Sequence, residues 1–332
     1  MPKPMQESGK IAIQYRKKYG PEMPSLKLAR IMYAENNLLF STLDSARSAL
    51  RRIEGKNGKE SRARYKHNEL FMSKDRPKNP YNLPKSEEVI WEPFKLNYKR
   101  VGVLSDIHIP YHNISALTVA IDYLKACKID CLLLNGDAID CFILSRYSKD
   151  PKKRNFAFEL DTWKAMFEVF EREFNVPIVY KLGNHEERYE AFLWQKAGEL
   201  VGVDEFEIEN LLKARARGIT VIKDKQIIKA GSLNIAHGHE FTGGGFQPVN
   251  VARGLFLRAK TSAMQGHNHQ TSEHTESDMD GKITTTWSVG CLSELHPQYM
   301  PINKWNHGCA FVEIDGEDFQ VHNKRIYQGN IL

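Results

Sequence analysis

The chain has 332 residues, 41% of them hydrophobic and 27% charged, with 47 Lys and Arg against 41 Asp and Glu for a net charge of +6. That much apolar material excludes wholesale disorder, and no run approaches the ~18 apolar residues of a membrane span, so no membrane partner is expected. Five irregularly spaced cysteines in a chain this long read as reduced thiols, and Met1-Pro2-Lys3-Pro4 opens no apolar leader, so a cytoplasmic location is expected.

The charge is unevenly spread. The first hundred residues hold 22 Lys and Arg against 11 Asp and Glu, so the basic excess lies wholly in this third. Three helices are predicted there. Gln6–Lys18 is stopped by Gly20-Pro21. A second helix opens at Pro24-Ser25, with Ser25 as N-cap and Leu28, Ile31 and Met32 on one face. The third is capped by Ser41-Thr42-Leu43-Asp44 and ends at Gly55. Its apolar face is Leu43, Ala46, Ala49, Leu50 and Ile53, and Arg47, Arg51 and Arg52 project from the other. A basic last helix behind a polar capping turn resembles a helix-turn-helix unit, with those three arginines as candidate nucleic-acid contacts. The alternative is a docking or self-association module, which would make the protein a homo-oligomer. The expected organisation is a helical domain over 1–58, a polar linker rich in Lys, Asn and Pro over 59–96, and a catalytic domain over 97–332.

From residue 100 the pattern alternates. Arg100–Ser105 is a short apolar strand that runs into Asp106-Ile107-His108. Residues 114–127 form an amphipathic helix on Ile114, Leu117, Ile121 and Leu124. A buried strand over Ile129–Asn135 ends in Gly136-Asp137-Ala138-Ile139-Asp140. Another helix, Leu160–Phe174, leads to a strand over 177–182 that ends in Gly183-Asn184-His185-Glu186. Strand–helix–strand spacing implies a parallel sheet, and such sheets collect their sites at the carboxyl ends of strands. A strand over Ser232–Ala236 ends in His237-Gly238-His239, and Gln265-Gly266-His267-Asn268-His269 follows. Each piece is cheap alone; five in one order, each after a strand-like run, is not.

This ordered set resembles the calcineurin-like metallophosphoesterase superfamily over residues 97–327, within it a phage and prophage branch that carries a helical N-terminal extension. The resemblance implies an α/β fold, a four-layer α/β/β/α sandwich whose second sheet would use strands near 218–236, 283–290 and 309–315. It implies one metal held by Asp106, His108, Asp137 and His269, and a second held by Asp137, Asn184, His237 and His267, with Asp137 bridging. His185 would be the general acid and Asp140 would orient it. His239 would face the substrate phosphate or brace its loop.

Elementary chemistry agrees with those residue types. Paired dications need a bridging anion, and mixed His, Asp and Asn donors suit manganese, iron or zinc better than magnesium or calcium. A hydroxide formed between the metals would attack phosphorus in line while an imidazole protonates the leaving oxygen. Arg146 and Lys149, in a basic loop over 145–154, could reach substrate phosphates or simply line the surface. Gly243-Gly244-Gly245 could cradle a phosphate or form a plain turn. Tyr299 and Trp305 could stack a base or close the core at a strand end. Asp278-Met279-Asp280-Gly281 reads as a hairpin tip. Asp140-Cys141-Phe142 stands where Ser/Thr protein phosphatases carry Asp-Arg-Gly, which disfavours that branch. The leading expectation is a dimetal phosphodiesterase or nuclease acting on DNA. The alternatives are a small-molecule phosphatase or cyclic-nucleotide phosphodiesterase, and a non-catalytic scaffold that retains its metals.

Overall fold

The computed structural model describes residues 6–55, 79, 81–89, 91–147, 155–241 and 249–332. The chain divides into two units, Met1–Glu88 and Val89–Leu332. The part of the predicted linker over 59–78, Lys149 and the Gly243–Gly245 run lie outside the described residues.

In the first unit, helices α1 (Glu7–Tyr19), α2 (Ser25–Glu35) and α3 (Leu43–Ile53) enclose a core of Ala12, Leu28, Met32, Ala46, Leu50 and Ile53. Residues three and four apart share a helix face, which is why these side chains meet. Thr42 caps α3 reciprocally: Ser45 N–H donates to its hydroxyl at 3.1 Å, and Thr42 N–H donates to Ser45 Oγ at 3.3 Å. Ser25 is not the cap expected of it. It sits inside the first turn of α2, and its Oγ lies 2.8 Å from the Glu54 carboxylate, which also pairs with buried Arg16. The connection between α2 and α3, residues 36–42, is longer than the three- to four-residue turn of a tight helix-turn-helix. Arg47, Arg51 and Arg52 lie exposed on α3.

The second unit is built on two sheets. The larger runs in the order β13 (Asn330–Ile331), β12 (Asp318–Tyr327), β11 (His307–Asp315), β2 (Arg100–Leu104), β3 (Cys131–Asn135), β4 (Ile178–Lys181), β5 (Thr220–Ile222). The smaller runs β1 (Phe94–Lys95), β6 (Ile228–Ala230), β7 (Leu233–Ile235), β8 (Ala263–Gln265), β10 (Ile283–Ser288), β9 (Ser272–Ser277). β2, β3, β4 and β5 are mutually parallel. Side chains alternate across the pleat. Val101, Val103 and Leu133 therefore meet Ile235, Met264 and Val289 between the sheets, while Leu132 and Leu134 face helices α4 (Ile114–Ala126) and α5 (Phe156–Phe174). On the far side α8 (Val251–Ala259) packs on the smaller sheet, where Thr286 Oγ1 donates to Ala252 O at 2.7 Å. Helix, sheet, sheet, helix is the four-layer sandwich, with α6 (Glu187–Lys196) and the short α7 (Ile208–Leu211) beyond β4.

Three details differ from expectation. The 309–315 strand joins the first sheet, antiparallel to β2, because its Ala310 and Val312 complete the inter-sheet core beside Val101 and Val103. The 218–236 stretch splits: β5 goes to the larger sheet, β6 and β7 to the smaller. Ile114 is 74% exposed, and Ala116 and Ala120 join Leu117 and Leu124 on the buried face of α4. The 278–281 tip does join antiparallel β9 and β10.

The helix-side core centres on Phe167, fully buried with its ring 4.2 Å from Trp163 and 6.3 Å from Tyr180. Phe167→Ala is expected to remove about 3–5 kcal/mol of stability, read as a lower urea midpoint at unchanged denaturant slope.

Candidate metal centre

The site forms where β2, β3 and β4 end and their backbones continue as loops that stay paired. Asp106 N–H donates to Gly136 O at 3.1 Å, and His108 N–H to Asp137 O at 2.9 Å. The donor residues sit in uncommon backbone. Asp106, His108, Asp137, His267 and His269 all have φ between 49° and 65°, a region that side-chain-bearing residues enter at a cost and that concentrates at functional sites. Two glycines make the close approach feasible. A Cβ on Gly183 would lie 2.2 Å from Asp137 Oδ1, and one on Gly136, at φ +84°, 2.3 Å from His237 Nδ1.

Asp137 Oδ2 is the hub. His237 Nε2 lies 3.2 Å from it, His185 Nε2 3.8 Å and His108 Nε2 3.9 Å. Asp106 Oδ1 lies 3.2 Å from His269 Nε2 and 4.0 Å from His108 Nε2. Donor atoms of Asp106, His108 and His269, of His108, Asp137 and His185, and of Asp137, His237 and His267 each cluster within 4.8 Å. The outer ring nitrogens set the tautomers. His237 Nδ1–H donates to Asn135 O at 2.7 Å and His108 Nδ1–H to Asp140 Oδ1 at 2.9 Å, which turns both Nε2 lone pairs inward. His237 Nε2, Asn184 Oδ1 and His267 Nδ1 are buried without a hydrogen-bond partner among the described residues. Acceptors that converge in this way need cations or protons between them, so the donor set fits divalent metal ions.

The electrostatics show the same convergence. Burial pulls the His237 and His269 imidazoles down, but Asp137 beside the first and Asp106 beside the second raise both to about 10. Burial raises Asp106, yet the His269 charge brings it to about 2. Asp137 is held well below its usual value against its burial by His185 and His237. His267 falls to about 4, from burial first and then from the His237 charge.

Asp140 does more than orient one ring. Its Oδ1 accepts Nδ1–H from both His185 and His108, at 2.9 Å each. Arg188, which the sequence reading passed over, lays Nη2 2.8 Å from His185 Nε2 and Nη1 2.9 Å from Asp140 O. Its signal was a spacing of three at the start of a helix, which puts it on the His185 face. Two carboxylates brace the loops. Glu186 is wholly buried and accepts N–H from Asp137, Ala138, Ile139 and Gly183. Glu240 accepts N–H from His237 and Gly238 and pairs with buried Lys181 at 2.8 Å. Burial pushes Glu240 up, but the Lys181 ammonium brings it to about 2. A lone lysine in the apolar run 178–182 was the available clue to that pair.

Of the remaining expected residues, His239 stays beside the set, its ring 5.3 Å from that of His237. His239 turns its Nε2 to Glu187 Oε1 at 2.8 Å. Arg146 is exposed in a groove with Asn184 and Arg188. Arg47, Arg51 and Arg52 belong to the other unit. Trp305 lies against His269, ring centroids 4.1 Å apart, with Tyr299 beyond it. No helix among the described residues is long and apolar enough to cross a membrane, and the five cysteines are unpaired.

Two adjoining sets of imidazole and carboxylate donors, gathered at strand ends of a four-layer sandwich, define a metallophosphoesterase. The chain belongs to the calcineurin-like phosphoesterase family, whose model matches residues 99–275. Gene 54 protein of Mycobacterium phage L5 is 29% identical over 236 residues, which cover 66% of this chain and 90% of that protein. Among solved structures, a Vps29 variant from Entamoeba histolytica aligns at TM-score 0.37 and 13% identity, covering 70% of this chain and 96% of that one. A dimetal phosphatase from Danio rerio aligns at TM-score 0.34 and 12% identity, covering 69% and 96%.

Elemental analysis of protein purified without chelator is expected to find about two transition-metal equivalents. Asp137→Asn is expected to lower both occupancies; a value near one that the substitution leaves unchanged would contradict a shared carboxylate. A second prediction concerns pH. Glu159 accepts Cys141 N–H at 2.9 Å, and burial, followed by the Asp140 charge, raises it to about 7. The folded chain thus keeps a proton that the unfolded chain releases near the ordinary carboxyl value. The stability gained from it is complete below about 4.5 and is lost as pH rises through about 7. Urea midpoints of Glu159→Gln, followed from pH 4.5 to 7.5, are expected to rise relative to the parent as pH increases.

Proposed function

We propose that the protein is a dimetal phosphodiesterase that cleaves DNA at this centre. The observation that carries the reading is a groove of about 490 Å3 that starts at Asn184 and Arg188 and is lined further by Arg146, Tyr147, Phe192 and Lys196. Cations interleaved with rings suit a sugar–phosphate strand with its bases, and the Arg146 guanidinium lies 5.7 Å from the Tyr147 ring. The basic first third of the chain and the exposed arginines of α3 support a polyanionic substrate.

Asp106, His108, Asp137 and His269 would hold one ion and Asp137, Asn184, His237 and His267 the other. Such ions supply charge stabilisation to phosphoryl oxygens and lower the pKa of water. The chain's own part is proton delivery. His185 donates Nδ1–H to Asp140, which fixes the ring with Nε2 toward the hub carboxylate. Burial lowers its pKa, but the Asp137 charge and then the Asp140 hydrogen bond outweigh burial and raise it; Asp140, which would hold no ion, is the partner that would keep favouring the charged ring beside bound metals. Arg188 Nη2 lies 2.8 Å from His185 Nε2 and Nη1 donates to Asp140 O, so a protonated Nε2 would require Nη2 to leave the ring, free to meet a phosphate oxygen.

Incubation with manganese and labelled single- and double-stranded DNA is expected to give cleavage. His185→Ala is expected to lower kcat by roughly 10²–10⁴-fold at unchanged metal content. Failure to cut any DNA with any metal, alongside hydrolysis of bis-nitrophenyl phosphate, would remove the DNA assignment.

A further inference from the structure

Next to that basic groove, past Asp140 and Phe142, a pocket of about 390 Å3 opens beside His108 and His269. Its walls are rings, Tyr111, Phe142, Tyr299 and Trp305, and its polar groups include Ser293 and Glu294. No Lys or Arg lines it among the described residues. Ser293 is 3% exposed and its hydroxyl has no hydrogen-bond partner among the described residues. A buried hydroxyl left unpaired is costly, and a polar group on a bound ligand removes that cost.

The pocket is held together by its own loop. Asn303 Nδ2 donates to Leu295 O at 2.6 Å and to Met300 O at 2.8 Å, and its Oδ1 accepts Trp305 N–H at 2.9 Å. Glu294 N–H donates to Tyr111 O at 2.9 Å, which ties this loop to the one after His108. Trp305 leans on the His269 ring, and Tyr299 meets Trp305 edge-on at 6.3 Å. Aromatic walls accept a planar, uncharged group, and the Glu294 carboxylate at the lining repels a phosphate. The two hollows therefore differ in lining: guanidiniums with Asn184 in the groove, rings and carboxylates with His269 in the pocket.

We propose that this pocket is a nucleobase subsite. The base of the nucleotide next to the cleaved phosphate enters it, stacks on Tyr299 with its rim against Trp305, and offers its polar edge to Ser293 and Glu294. The inference rests on phosphoester cleavage at the adjoining centre. A base inside the pocket is unpaired, so the substrate is a single strand, a flap or a frayed end rather than an intact duplex.

Two measurements test it, both on the full metal-loaded chain. In equilibrium dialysis, labelled deoxyadenosine is expected to bind and 2-deoxyribose is not, and Tyr299→Ala is expected to weaken binding about tenfold at unchanged metal content. Tyr299 is 69% exposed, so its truncation leaves the core intact. In cleavage of a single-stranded oligonucleotide, an abasic residue beside the cut site is expected to lower kcat/KM about tenfold for the parent and hardly at all for Tyr299→Ala. DNA cleaved with indifference to the missing base, together with no deoxyadenosine binding, would overturn the subsite and leave the nuclease reading standing. Deoxyadenosine binding that depends on Tyr299, with no DNA cut, would uphold the subsite and remove the polymer as substrate.

Discussion

A single buried carboxylate sets the geometry on which the centre depends. Glu186 has no exposed surface, yet it accepts four backbone N–H groups and the Tyr180 hydroxyl at 2.6 Å. Three of those amides belong to the loop after β3 and one to the loop after β4. The carboxylate therefore clamps the segment carrying Asp137 and Asp140 to the segment carrying Asn184 and His185. Burying a charge is expensive unless its lone pairs are filled, and here five donors fill them. Burial and the neighbouring Asp137 charge still raise its pKa. Lys181, the last residue of β4, and Glu240 do the same work between the sheets, where the pair anchors the loop after β7 that carries His237.

The clamp explains why the hub tolerates strained backbone. Five donor residues hold left-handed φ values, and each is over-determined by hydrogen bonds. His267 N–H, for instance, donates to both Asp106 oxygens, at 3.0 and 2.9 Å. The strain places donor side chains from three strand ends, those of β2, β3 and β8, around one volume. A sandwich of paired sheets supplies the rigid base for this, since Val101, Leu133 and Val179 are locked into the inter-sheet core directly behind the loops.

Much of this was legible because donors stood at the ends of apolar runs, where local pattern and chemistry coincide. Asp106, Asp137, Asn184 and His237 could be read from single short segments. The partition of strands between sheets could not. Ala310 and Val312 alternate just as a strand of either sheet would, and their place was decided by pairing with β2, some two hundred residues earlier in the chain. Arg188 was missed for a related reason: a charged residue early in a helix is ordinary, and its meaning depends on how the helix starts beneath His185. Ser25 failed as a cap because a tertiary partner, Glu54, claimed its hydroxyl.

The shared oxygen of Asp140 has a further consequence. One lone-pair-bearing atom fixes the tilt of two rings, His108 beside Asp106 and Asp137 and His185 beside Asp137. A displacement of either ring is therefore passed to the other through the same oxygen. On the proposed assignment, with His108 holding an ion and His185 supplying the proton, a change to an ion of another size would call for a retuned acid as well.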